Sequence, residues 1–422
     1  MDLEALETAI RDAVHAAGAK VLEALLSPVG VGRREQAVRC TCGALMESGG
    51  LKTKSIVTLL GEIRFTRSAY RCPRCGQTRY PGDEQVDAVH TGYSPGVRRL
   101  VSDFASDAPF KRVSRQIKTA AALDISRKDC ERVAEGVGQE VADWFAAERD
   151  RLRFQPPPPP EAPKTLDTLY IEFDGTGVPM VPHELEGRKG KQPNGGAKTR
   201  EAKLGCVFTQ TAFNEKGRPI RDDASASFVG AIETAEQFQW RIYAEAVRRG
   251  LFAARRVVCV TDGAEWIRNI VQTHFSGAQH IIDLYHAREH LVDLCKLLFG
   301  RDLRQLNQYK DRWWDALDEG NIEQIREEAQ THLPRSQPEA KEARAAIAYF
   351  ETNQERMRYQ QFFEQGLFVG SGVIEAACKT VIGQRMKHSA MEWTVRGANA
   401  IAALRCVIQS NRFEEFWEQR AS

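Results

Sequence analysis

Five consecutive prolines, Pro156 to Pro160, divide this chain of 422 residues. Each proline ring fixes φ and removes a backbone donor, so neither a helix nor a sheet ladder can run through them. The stretch "RFQPPPPPEAPK", residues 153–164, therefore predicts an extended, semi-rigid linker. What lies on either side must fold around its own core, and the length suffices for two or three domains.

The two sides differ in pattern. The N-terminal part opens with "MDLEALETAIRDAVHAAGAKVLEALL", which is studded with acids and reads as an amphipathic helix, not a signal peptide. An N-terminal helical segment is expected over 1–36, a cysteine-bearing module over 37–85 and a helical region over 86–152. After the linker, strands alternate with helices. "TLYIEFD", "LGCVFTQTAF" and "SASFVGAI" read as three strands and "TAEQFQWRIYAEAVRRG" as a helix ended by Gly250. "RRVVCVTDG" has the unbroken apolar core of a central strand covered on both faces. A helix, the strand "AQHIIDLY" and another helix follow. Three strands, a helix, then strand–helix–strand–helix is the order of an RNase H-like α/β fold. Its first part is expected over 165–299, a helical insertion over 300–365, and its C-terminal helices over 366–422.

Composition narrows the partners. The net charge is +2, so any nucleic-acid surface must be local. The longest apolar runs fall well short of the ~20 residues that cross a bilayer, which predicts a cytoplasmic protein. Six of the ten cysteines are scattered through apolar stretches, where they behave as small hydrophobes. The other four form two close pairs, Cys40 with Cys42 and Cys72 with Cys75, with 29 residues between Cys42 and Cys72. In a reducing compartment such pairs mean metal more often than cystine. Two thiolate knuckles around a hairpin-sized segment predict a zinc ribbon with one structural Zn²⁺, a closed site without catalytic function.

Basic residues gather in three places. "PFKRVSRQIKTAAALDISRKDCERVAEGVG", 109–138, reads as two helices about a turn, with Ser126 and Asp129 at capping-box spacing. A helix-turn-helix that meets DNA through Arg127 and Lys128 is one reading, and an ordinary helical hairpin the other. "EGRKGKQPNGGAKTREAK" carries Arg188, Lys189, Lys191, Lys198 and Arg200 among glycines. It fails the phosphate-loop pattern, because no lysine directly follows the second glycine. A basic hairpin gripping DNA phosphates fits better, with a solvated loop as the alternative. "GQRMKH" adds Arg385 and Lys387.

The acids suggest chemistry. Asp174 is expected to end the first strand of the sheet and Asp262 the fourth. Alone, each could merely cap the following element. In an RNase H-like sheet those strands are neighbours, and two converging carboxylates repel unless a divalent cation lies between them. Glu375, just after the glycines of "VGSG", is placed in a helix's first turn to supply a third acid. Asp, Asp and Glu offer hard oxygen ligands for Mg²⁺ or Mn²⁺, and two such ions about 4 Å apart can clamp both oxygens of an in-line phosphoryl displacement. "HAREH" also fits the H-x-x-E-H pattern of some zinc peptidases, and a packed histidine pair is a further alternative. His286 as an accessory to the acidic site is the third.

Taken together, "CTCG…CPRCG", "DGTGVPM", "EGRKGKQ", "KTREAKLGCVFTQT", "VGAIETAEQF", "TDGAEWI", "DLYHAREHL", "YFETNQERMRY" and "GLFVGSGVIEAACKTVIGQRMKHSAMEW" resemble bacterial insertion-sequence transposases of the ISKra type, within the Mutator-like DDE group. The resemblance covers most of the chain. It implies Asp174, Asp262 and Glu375 as the catalytic, metal-binding triad, and Asp283 with His286 as a D-x-x-H signature. It implies hydrolysis at an element end followed by attack of the freed 3′-OH on target DNA. DNA ends, target DNA and at least a second copy of the chain are the implied partners, and the nucleoid the implied location. A domesticated regulator that binds DNA without cleaving it, and a zinc peptidase using His286 and His290, are the rival readings.

Overall fold

The computed structural model describes residues 2–29, 37–155, 166–190, 192–193, 195–300, 302–334 and 337–421. The proline run and Lys191 lie outside the described residues. The chain separates into two units, Met1–Val137 and Gly138–Ser422.

In the first unit, α1 (Leu3–Val29) precedes a hairpin of β1 (Glu47–Thr58) and β2 (Gly61–Arg71), which the short β3 (Thr78–Arg79) extends to three antiparallel strands. Ile56, Ile63 and Phe65 of the hairpin form a core with Ala19 of α1. Then come α2 (Pro81–Gln85), α3 (Pro95–Asp107), α4 (Phe110–Ala121) and α5 (Arg127–Phe154). Val113 and Ile117 of α4 are buried while Lys111, Arg112, Arg115 and Lys118 stay exposed. A left-handed Ala122 closes α4. Before α5, the Ser126 hydroxyl accepts the Asp129 N–H at 3.1 Å and donates to its carboxylate at 2.8 Å.

The second unit is a mixed α/β assembly. Its strands are β4 (Leu166–Pro179), β5 (Thr199–Gln210), a small hairpin of β6 (Ala212–Phe213) and β7 (Pro219–Ile220), β8 (Ser227–Ala231), β9 (Ala254–Thr261) and β10 (Gln279–Ile282). The main sheet runs β10-β9-β4-β5-β8. β4 pairs antiparallel with β5 and parallel with β9, and β9 parallel with β10. The helix α6 (Ala235–Arg248) starts at a reciprocal cap between Thr234 and Gln237 and links β8 to β9. The helix α7 (Glu265–His274) links β9 to β10.

Side chains alternate across β4. Leu169, Ile171 and Phe173 enter the apolar core with Phe238 and Ile242 of α6 and Ile267 and Ile270 of α7. Tyr170, Glu172 and Asp174 face the other way. After β10 come α8 (Leu284–Phe299), then α9 (Leu303–Asp318), α10 (Ile322–Thr331), α11 (Gln337–Asn353) and α12 (Tyr359–Glu364). The chain returns through α13 (Gly372–Ala377), a π-helical turn at Cys378–Gly383, α14 (Gln384–Met386), α15 (Val395–Gln409) and α16 (Phe413–Ala421). Among the described residues no helix is long and apolar enough to cross a membrane.

One local expectation needs correction. Asp174 does not end its strand, because β4 continues to Pro179 against β5. What ends near Asp174 is the parallel pairing with β9, whose last pair is Glu172 with Val260. The small residues Gly175 and Gly177 continue an extended ribbon instead of turning it.

Candidate functional site

The parallel register between β4 and β9 pairs Tyr170 with Val258 and Glu172 with Val260. Two residues further along each chain lie Asp174 and Asp262, the latter just past the end of β9. Asp262 turns its carboxylate back to accept the Ala264 N–H at 2.9 Å, before α7 begins. Asp174 accepts its neighbour's N–H, from Gly175, at 2.6 Å. Both are half-buried and Glu375 is exposed. Burial raises the pKa of Asp174, and the charges of Asp262, Glu201 and Glu375 raise it further against the opposing Gly175 hydrogen bond. The Asp174 carboxylate thus feels both other acids of the expected triad.

A buried network brings Glu375 to the sheet. The segment before α13 is tied down at successive residues. Gln210 donates to the Gly366 carbonyl at 3.3 Å, and the Tyr170 hydroxyl accepts the Phe368 N–H at 3.1 Å. The Val369 carbonyl accepts the Leu284 N–H at 2.9 Å. Asp283, 2% exposed, joins two elements: one oxygen accepts the His286 N–H at 2.7 Å and the other accepts the Ser371 N–H. Glu172, fully buried, accepts the Ile374 N–H at 2.9 Å. Burial pushes its carboxyl up to about 8, against the Ile374 hydrogen bond, and its second oxygen has no protein partner. Glu375 follows directly on this anchored turn.

Four residues of this neighbourhood were not singled out from sequence. Glu172 is an acid inside an apolar strand, on the same face as Asp174 and two residues before it, and that spacing was a usable signal. Glu201 approaches Gly175 so closely that a Cβ there would lie 2.3 Å from its carboxylate, and it pairs with Lys203. Tyr349 comes from α11, 59 residues beyond His290 and 87 beyond Asp262, and nothing local marks it. Its ring stacks on His290 with centroids 4.2 Å apart, its hydroxyl lies 3.2 Å from where a Gly263 Cβ would be, and burial followed by the Asp262 charge raises its pKa. Cys378 points its thiol at Asp174, 3.9 Å away.

His286 and His290 face each other, Nε2 to Nε2, at 3.2 Å. Burial, then the neighbouring His286, lowers the pKa of His290. Two imidazole nitrogens at that distance could grip one ion, but no third donor gathers with them among the described residues.

The cysteines do gather. Sγ of Cys40 lies 3.5 Å from that of Cys75, and Cys42 lies 3.6 Å from Cys72. All four sulfurs fall within 4.8 Å of one another, a spacing that fits one metal ion such as zinc. The knuckles turn through Gly43 and Gly76, both at positive φ. The Cys42 N–H lowers the Cys40 thiol to about 6, while sulfur neighbours push Cys75 to about 12 despite the Gln77 N–H. Among the described residues this is the one cluster of three or more such ligands. The three acids do not close to that spacing, as expected of mutually repelling carboxylates.

The basic residues are placed unequally. Arg127 and Lys128 are exposed at the start of α5, and Arg188, Lys189 and Lys198 are exposed on the loop between β4 and β5. Arg200 instead pairs with Glu184 at 3.3 Å. Lys387 is exposed and donates to Thr176 at 2.5 Å, two residues beyond Asp174. Arg385 is fully buried, with its guanidinium 5.0 Å from the centre of the Trp393 ring, so it serves the fold and reaches no solvent.

Residues 233–416 match the profile of the Uncharacterised protein family (UPF0236). A UPF0236 protein of Caldanaerobacter subterraneus subsp. tengcongensis is 20% identical over 361 residues, covering 83% of this chain and 67% of that one. A second from the same organism is 20% identical over 365 residues, covering 83% and 63%. A third bears one name that joins many loci of that genome. Among solved structures, the Drosophila P element transposase strand transfer complex aligns over 81% of this chain and 84% of its own, at 9% identity. The TM-score of 0.26 is too low for that alignment to bear on the fold. The chain is thus similar to UPF0236 proteins, and spans about two thirds of the length of those relatives.

Proposed function

We propose that this chain is a DDE transposase of the ISKra type, cutting one DNA strand at an element end and joining the freed 3′-OH to target DNA. The observation that carries the reading is the parallel register of β4 and β9, which brings Asp174 and Asp262 two residues past the Glu172–Val260 pair, with the Asp174 carboxyl raised by burial and then by the charges of Asp262, Glu201 and Glu375. The strand order β10-β9-β4-β5-β8, with three strands antiparallel and the crossovers through α6 and α7, supports an RNase H-like core. One name for many loci in a relative's genome is the multiplicity expected of a sequence that copies itself.

The acids fit divalent cations by their chemistry. They are hard oxygen donors of like charge, one already disfavoured as a carboxylate by burial, and a cation relieves that cost. Asp174, Asp262 and Glu375 would hold Mg²⁺ or Mn²⁺, which supplies charge neutralisation and water activation at the scissile phosphate. The protein's own part is placement. Glu172 and Asp283 fix the turn that presents Glu375. Gly175 and Gly177 let the Glu201 and Thr199 side chains of β5 close against β4 beside Asp174. Lys387, bonded to Thr176 two residues beyond Asp174, and the exposed Arg188, Lys189 and Lys198 of the β4–β5 loop suit phosphates, as do Arg127 and Lys128 in the first unit. His286 stands as an accessory one turn into α8. The cysteine cluster holds zinc structurally.

The test is nicking of supercoiled plasmid in Mn²⁺ or Mg²⁺. Asp174→Asn, Asp262→Asn and Glu375→Gln are each expected to lower the rate by about 10²-fold or more. Equal nicking by all four proteins would remove the acids from the chemistry.

A further inference from the structure

Four large aromatic side chains are exposed among the described residues, and all but Phe154, at the end of α5, gather in one region of the second unit. Tyr285 is 64% exposed, Phe363 51% and Phe213 50%. Tyr285 and Phe363 line one groove of about 710 Å³ in the second unit, and Phe213 belongs to the hairpin that brings Lys216 and Arg218 to it, beside the Arg288–Asp318 ion pair that also lines it. Apolar rings left in water at that density call for an occupant.

The groove is built, not accidental. At the hairpin tip the Asn214 carboxamide oxygen accepts the N–H groups of both Lys216 and Arg218 at 2.9 Å, and Gly217 takes a positive φ. Two cations are thereby presented from a fixed turn, and neither is engaged in an ion pair among the described residues. The floor is the 367–370 segment, the same stretch that carries the chain into α13 and Glu375. Tyr285 sits at the upper end, on the first turn of α8, next to His286. Its ring packs against Gly370, where a Cβ would lie 3.2 Å from the ring and 3.7 Å from the Asp283 carboxylate. The groove is therefore continuous with the scaffold of the acidic site.

We propose that this groove binds an unpaired DNA strand, with bases stacked on Tyr285 and Phe363 and phosphates held by Lys216 and Arg218. Aromatic faces flanked by cations are the chemistry of single-strand binding, because every base offers a π-face and every linkage a negative charge. A duplex hides its bases and gains only from the cations. The inference rests on the DNA-cleaving reading above, since a cut end is what supplies unpaired nucleotides beside the acids.

Fluorescence anisotropy of the full chain, without divalent cations, tests it with a labelled 15-nucleotide single strand and a 15-base-pair duplex. Tyr285→Ala combined with Phe363→Ala is expected to weaken single-strand binding about tenfold or more, and duplex binding by less than about twofold. Tyr285→Phe keeps the ring and is expected to bind as wild type. Lys216→Glu with Arg218→Glu is expected to weaken both and to flatten the salt dependence of the single strand. All these side chains are exposed, and matching melting curves check the folds. Single-strand binding unchanged in the double alanine variant overturns the proposal. Wild-type binding to duplex alone overturns it too but leaves the transposase reading standing. Binding to neither nucleic acid overturns both.

Discussion

Glu172 shows how a single buried residue can matter more to a site than its exposed neighbours. It accepts the Ile374 N–H from within the sheet and so fixes the turn before Glu375. Glu172→Gln keeps an acceptor there and mimics the protonated carboxyl that burial favours, so stability at neutral pH is expected to equal or exceed wild type in urea denaturation. Glu172→Ala leaves the Ile374 N–H without a partner and is expected to cost about 1–3 kcal/mol. Arg412 is a second such residue. It is 4% exposed and reaches Glu148 at 3.0 Å and Glu415 at 2.8 Å, over the Trp144 ring. Arg412→Met leaves the half-buried Glu148 and Glu415 without their cation and is expected to destabilise the second unit by about 1–3 kcal/mol at neutral pH. Its hydrogen bond holds the Glu415 pKa below the usual range despite partial burial. A depressed carboxylate contributes stability above its unfolded value, and that contribution is lost as pH falls through the folded value. Thermal melts at falling acid pH are therefore expected to show wild type losing more stability than Arg412→Met. Residue type was legible in sequence for Asp174 and Asp262, whereas Arg385 looked like a surface cation and is buried. A basic residue in a short polar run gives no sign of which way its helix will face.

Helices in this chain approach each other at distances that sequence does not announce. Gly136 and Gly138 lie two residues apart in α5 and read alike as weak helix formers. A Cβ on Gly138 would sit 2.3 Å from the Ala400 carbonyl oxygen of α15, whereas a Cβ on Gly136 would meet nothing within 4 Å. Gly136→Ala is expected to stabilise by about 0.5–1 kcal/mol through helix propensity. Gly138→Ala is expected to destabilise by about 1–3 kcal/mol, because the backbone of α15 must move. Chemical denaturation of the two variants should give opposite signs. The elements themselves were largely readable: α6 before Gly250, the apolar strand β9, and α4 and α5 about the Ser126 turn all follow from pattern and capping. The continuation of β4 past Asp174 was not, because "DGTGVP" carries every local mark of a turn. Pairing with β5 through Pro179 overrides those marks.

At the scale of the whole chain the metal content separates the rival readings. Elemental analysis of the full protein is expected to give one zinc per chain, falling to near zero in Cys72→Ser; two would favour a second site at His286 and His290. The sequence by itself determined the metal knuckles, since two close cysteine pairs around a hairpin can hardly do otherwise, and it determined the alternation of strands and helices after the prolines. It also singled out the three acids as candidates, although Asp174 lies inside β4 and not at its end. Only the tertiary structure decided what surrounds them. Glu201 reaches Asp174 by strand pairing, Tyr349 reaches Asp262 from a distant helix, and Glu172 and Asp283 hold Glu375 from below. Such contacts come from packing between segments far apart in the chain, and local composition carries no record of which distant neighbour a side chain will meet.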